Sequence, residues 1–184
     1  MNLGKRVIEQ LEQLATKGPK QVDAVILNSA PPQGYIIGVP AEAQEPSAAI
    51  TLEAYDRYSV TLRQLEVSYG NSSVDENKDE DYLRQCAERV ARRLTYLEES
   101  LALLELNAAD NWAQLRSDPP HQENEVLTYW EVLIWTEPRP RARLTRYRWT
   151  PGSSGRESVA YPATFATLGR IANDLALSLT EEVK

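Results

Sequence analysis

Residues 126–149, VLTYWEVLIWTEPRPRARLTRYRW, decide how the chain is read. Val126 to Trp135 and Arg141 to Trp149 are both dense in β-branched and aromatic residues. Only Thr136 to Pro140 separates them, which is short enough for a hairpin connection. Projected at period two, Val126, Trp130, Val132 and Ile134 share one face of the first strand, and Leu127, Tyr129, Leu133 and Trp135 share the other. Both faces are apolar. A strand whose sheet has helices on one side only normally turns a polar face to water, so something is expected to cover the second face. The candidates are a segment of the same chain or a second copy of the protein.

Strand-like segments recur upstream. Val22 to Asn28, Gly34 to Val39, Ile50 to Tyr55, Tyr58 to Tyr69 and Trp112 to Arg116 all read as extended, divided by proline and polar punctuation. In the fourth of these the apolar phase changes. Tyr58, Val60 and Leu62 lie in one phase and Leu65, Val67 and Tyr69 in the other, so a bulge is expected near Arg63 and Gln64.

Three helices are expected around these strands. Leu3, Val7, Ile8, Leu11 and Leu14 form one stripe that stops at Gly18-Pro19. Leucine and valine steps of three and four run from Leu83 through Val90, Leu94, Leu97 and Leu101 to Leu104, predicting a long helix over 81–106. The third covers 163–180, with Pro162 at its first position. The expectation is an α+β fold in one domain over 1–184, with antiparallel sheet segments and three long helices. A tandem αβββ arrangement is one reading, with halves 1–70 and 79–150 closed by a helix over 162–181. Leu27 to Gln33 and Leu115 to His121 share four of seven residues at matching places, a Pro-Pro stop included; common turn chemistry explains them more readily than a duplication does.

The 184 residues carry a net charge of −7, with 42% hydrophobic and 26% charged residues, enough apolar content for a core. No run reaches the ~20 apolar residues of a membrane span, and the charged amphipathic start is unlike a signal peptide, so a cytoplasmic protein is expected. One cysteine, Cys86, allows no internal disulfide and fits a reducing compartment. It lies on a helical seam, where a small buried side chain is expected. Asp75, Asn77, Asp79 and Asp81 alternate as in a calcium loop. Glu80 replaces the turn glycine and Cys86 the bidentate glutamate, so the run reads as a solvated connection. His121 is the single histidine, in a polar turn. Gly152 to Gly155 lacks the lysine of a phosphate loop. No cofactor or metal is implied, and no motif calls for an enzyme.

Charge is distributed unevenly. Residues 139–156 hold Arg139, Arg141, Arg143, Arg146, Arg148 and Arg156 and no acidic residue, in a chain otherwise strongly acidic. Arg141, Arg143, Tyr147 and Trp149 are expected on one strand face, with Arg146 and Arg148 on the other beside Leu144. Three roles are open to these residues. They can pair across strands with Glu125, Glu131 and Glu137. They can form a site for a small anionic ligand, with Tyr147 and Trp149 as a stacking platform. Or they can help anchor a protein partner or a second copy at Tyr129, Trp130, Leu133 and Trp135. Nucleic acid is disfavoured by the acidity of the rest. The leading expectation is a non-enzymatic interaction protein, an adaptor, chaperone or assembly factor. Anion binding is the alternative, and an enzyme of unknown class stands behind it.

The order helix, strands, long helix, strands, helix, with an acidic composition, resembles the fold of type III secretion chaperones and related cytosolic proteins. Element order alone carries the likeness, and it implies neither a partner nor an activity.

Overall fold

The computed structural model describes residues 2–27, 34–41, 45–70 and 80–180. Helix α1 (Leu3–Lys17) starts where the Asn2 side chain accepts the Lys5 N–H at 2.9 Å and stops where the Gly18 N–H reaches the Leu14 carbonyl at 2.9 Å. Pro19–Val22 form a 3-10 turn, so the expected strand from Val22 is reduced to β1 (Val25–Leu27). β2 (Gly34–Val39), β3 (Ser47–Tyr55) and β4 (Ser59–Ser68) follow as an antiparallel meander.

The bulge lies where the phase changes. Pairing passes from Thr51 opposite Gln64 to Leu52 opposite Leu62 and then Ala54 opposite Thr61, so Arg63 and Glu53 are the extra residues and pair with each other. Val60, Leu62, Leu65 and Val67 are consequently all buried on one face.

The long second helix is not formed as expected. α2 spans Glu80–Arg93, and after a turn the chain becomes β5 (Leu101–Asn107), paired with β6 (Trp112–Ser117). The leucine spacing suits both structures locally. Pairing with β6 decides it, with Leu101 and Leu103 turned toward the helices and Leu104 displaced as the extra residue of a bulge. β7 (His121–Glu123), β8 (Val126–Trp135), β9 (Arg141–Trp149) and β10 (Arg156–Ser158) complete the second half. β11 (Tyr161–Thr164) then pairs with β4, which places Pro162 in a strand. α3 (Phe165–Thr180) begins only after Thr164, whose Oγ1 accepts the Thr167 N–H at 3.1 Å.

All eleven strands belong to one antiparallel sheet, in the path order β1-β2-β3-β4-β9-β8-β6-β5. The two halves thus meet where β4 lies beside β9, each half being a helix followed by a meander. Of the sequence trace shared by the halves, the first copy lies outside the described residues from Asn28 onward. α3 lies between α1 and α2 and above the β4–β9 seam. Helix-facing Ile37, Ile50, Leu65, Leu144, Val132 and Leu115 are fully buried beneath the three helices. Burying each such side chain contributes roughly 1.5–3 kcal/mol. Among the described residues no helix packs on the other face of the sheet.

Candidate functional site

The helix-free face of β6, β8, β9 and β10 gathers most of the residues singled out in the sequence. Cross-strand register places Trp112 beside Trp135 and Trp135 beside Arg141; Gln114 and Arg143 flank Leu133; Arg116 faces Glu131, and Tyr129 faces Tyr147. Trp149 lies between Leu127 and Arg156 at the far end. Aromatic and guanidinium groups therefore share this face of the sheet.

They lie on one another. The guanidinium carbons of Arg141 and Arg143 sit 4.5 and 5.1 Å from the Trp135 ring centre, Arg116 is 4.7 Å from Tyr129, and Arg156 is 4.0 Å from Tyr147. Tyr129 and Tyr147 also touch, with ring centres 6.0 Å apart. The apolar second face of β8 is thus covered by arginine stems and guanidinium planes from its own chain.

One carboxylate organises the centre. Glu131 is 1% exposed and accepts from both terminal nitrogens of Arg156, from Arg116 Nη2 at 3.3 Å and from the Gln114 amide. Burial of Arg156 lowers its pKa, but the bonds to Glu131 and Tyr129 outweigh that and hold it above its ordinary value. Arg143 binds Glu66 of β4, with Nε at 2.9 Å. Arg141 makes no ion pair among the described residues, and its Nε is buried without a hydrogen-bond acceptor.

The helix side of the same strands treats its arginine differently. Arg146 is 9% exposed, lies 5.1 Å from the Trp130 ring centre and 5.4 Å from Tyr161, and is paired with Glu98 at 2.9 Å and Glu99 at 3.1 Å. Trp130 is 1% exposed, stacked edge-on against Tyr161 at 4.8 Å, and offers no surface to a partner. Burial raises the Tyr161 phenol pKa, with Glu98 adding to it and Arg146 opposing. Arg148 projects to solvent with Glu157 at 2.5 Å.

The division expected from alternation is therefore present: Arg141, Arg143, Tyr147 and Trp149 share the open face with Tyr129, Leu133 and Trp135. Arg146, Arg148 and Trp130 are on the helix side. Of the expected acidic partners Glu131 is used, whereas Glu125 and Glu137 form no ion pair among the described residues; Glu66, Glu98, Glu99 and Glu157 stand in their place. Trp112, Gln114 and Arg116 belong to the face and were not singled out. Their period-two alternation along β6 was visible in the sequence, but its register against β8 was not.

Elsewhere, His121 is exposed on β7. Cys86 is buried on α2, where Arg89 Nη2 donates to its sulfur at 3.1 Å and Arg89 Nε to the Ser178 carbonyl at 2.9 Å. Among the described residues no three His, Cys, Asp or Glu side chains are placed to hold a metal. Asp75 to Asp79 of the acidic run lie outside those residues. An open cavity of about 310 Å³ lies by the turn after β9, between Arg148 and Arg156, and another of about 490 Å³ lies between Val22 and Val39. No helix is long and apolar enough to cross a membrane.

No known family, curated protein or solved structure matches the chain.

Proposed function

We propose that this chain is a cytoplasmic, non-enzymatic interaction protein, an adaptor or assembly factor, whose docking surface is the helix-free face centred on Leu133 and Trp135. The carrying observation is the interleaving of half-buried Trp112, Trp135 and Tyr147 with Arg116, Arg141, Arg143 and Arg156 on one sheet face, over a Tyr129 that is itself buried and only supports them. Tryptophan, tyrosine and arginine are the residues whose burial contributes most to protein interfaces. Held on a hydrogen-bonded sheet, they lose little further conformational freedom when a partner arrives.

The reading is tested by partner capture with three chains: native, Leu133→Glu, and Leu177→Glu. Leu177 is 37% exposed on α3, away from the face, and serves as the control. Capture is expected to be lost with Leu133→Glu and retained with Leu177→Glu, both variants keeping the native circular dichroism. Equal capture by the two variants would remove the face from consideration. Light scattering on the same samples measures self-association through this surface.

A further inference from the structure

We infer that the occupant of this face is an acidic, extended segment of another protein, gripped by Arg141 and Arg143 over Trp135. The inference rests on the docking reading above and adds the chemistry of the partner.

Charge on the face is not balanced from within. Arg116, Arg141, Arg143 and Arg156 share the face with three carboxylates, Glu66, Glu131 and the exposed Glu105 that stands opposite Gln114, and Glu131 alone serves both Arg116 and Arg156. Arg141 is left stacked on Trp135 with no carboxylate among the described residues, although it is half-buried and its Nε is shielded from solvent. A carboxylate brought to it would gain a charge-assisted hydrogen bond in a partly desolvated place. Arg141 and Arg143 are two residues apart on one strand face, a spacing of roughly 7 Å. Carboxylates at alternate positions of an extended segment have the same spacing.

The other occupants fit this surface less well. A second copy joined by a two-fold axis would set this arginine face against itself. A nucleic acid would find the Trp135, Tyr129 and Tyr147 rings already carrying guanidinium groups and not open for base stacking. At Arg141 and Arg143 a small anion would have only a pleated sheet surface to enclose it, since the open cavity beside Arg156 lies at the far end of β9.

The full chain is titrated with three fluorescently labelled probes: a peptide alternating glutamate and phenylalanine, an equally long peptide alternating lysine and phenylalanine, and a single-stranded oligothymidylate. The acidic peptide is expected to bind best and to weaken as salt rises. Arg141→Glu is expected to weaken it by at least about tenfold, with Arg141→Gln intermediate, while Arg148→Glu on the opposite side of β9 leaves it unchanged. Circular dichroism confirms that each variant is folded. Equal or better binding of the lysine peptide or the oligonucleotide overturns the inference, as does acidic-peptide binding indifferent to Arg141. A dimer in solution that Leu133→Glu dissociates also overturns it. Loss of partner capture by Leu133→Glu without any preference for the acidic peptide leaves the docking face standing and removes the acidic occupant alone. Binding by none of the probes, with capture also unaffected, removes both.

Discussion

Gly4 of α1 and Gly169 of α3 meet backbone to backbone. A Cβ built on Gly169 would lie 2.7 Å from the Gly4 carbonyl oxygen and as close to the Ile8 side chain, and one built on Gly4 would overlap the Gly169 carbonyl. The two helices therefore approach as closely as they do because neither carries a side chain at the crossing. Alanine normally stabilises a helix interior by about 1 kcal/mol over glycine. Here overpacking against backbone costs about 1–3 kcal/mol and outweighs it. Gly169→Ala is expected to lower the urea midpoint; an unchanged or higher midpoint would mean the helices separate freely.

Removing the carboxylate under the arginines is expected to be costly. Glu131→Ala leaves Arg116, Arg156 and Gln114 without their shared acceptor, and breaking a buried pair costs about 3–5 kcal/mol. Both arginines are about a third exposed and can be rehydrated, so the lower end of that range is expected. Arg156→Ala leaves Arg116 and Gln114 on Glu131 and is expected to cost only about 1–2 kcal/mol. Urea denaturation of both variants checks the order.

Two arginines two residues apart on β9 should behave oppositely. Arg146→Ala leaves Glu99, 10% exposed, with the Ser117 hydroxyl but without its cation, and uncovers Trp130 and Tyr161, a loss of about 3 kcal/mol. Arg148→Ala breaks a pair whose side chains are 48% and 60% exposed, a loss of less than about 1 kcal/mol. Equal midpoints for the two variants would contradict the burial of Arg146.

The alkaline limb of stability should depend on two tyrosines. The Tyr82 hydroxyl donates to the Leu179 carbonyl at 2.5 Å, and that of Tyr96 donates to Asp174 at 2.8 Å, tying α2 and the following turn to α3. Burial raises both phenol pKa values above the ordinary 10.0, with Cys86 adding for Tyr82 and Asp174 for Tyr96. A raised folded pKa means the contribution is whole below the unfolded value and is lost as pH rises above it. Unfolding free energy is therefore expected to fall above about pH 10. Tyr96→Phe and Tyr82→Phe should each flatten that fall, a difference the lysines common to all three chains leave untouched. An identical slope in the native chain and the variants would refute it.

Much of the candidate face was legible from alternation alone. The period of two along 141–149 separates Arg141, Arg143, Tyr147 and Trp149 from Arg146 and Arg148, and steric pleating makes that separation independent of what the strand pairs with. The phase change at Arg63 located the bulge for the same reason. The partners of the arginines were not legible. Glu66 lies 77 residues from Arg143 and Glu99 lies 47 from Arg146, and only the folded sheet brings them together.

The sequence by itself determined the local geometry: the end of α1 at Gly18, the strand character of 126–135 and 141–149, and the face on which each of their side chains lies. Local sterics, capping and backbone hydrogen bonding suffice for these. Only the tertiary structure decided that Leu101–Asn107 is a strand and not the continuation of α2, since leucines at that spacing are compatible with either and pairing with Trp112–Ser117 selects one. It alone decided that Tyr161–Thr164 joins β4 ahead of α3, and that the second apolar face of β8 is covered by arginines from β6, β9 and β10. These outcomes depend on contacts between distant segments, whose combined burial and pairing outweigh the small preferences of any one segment.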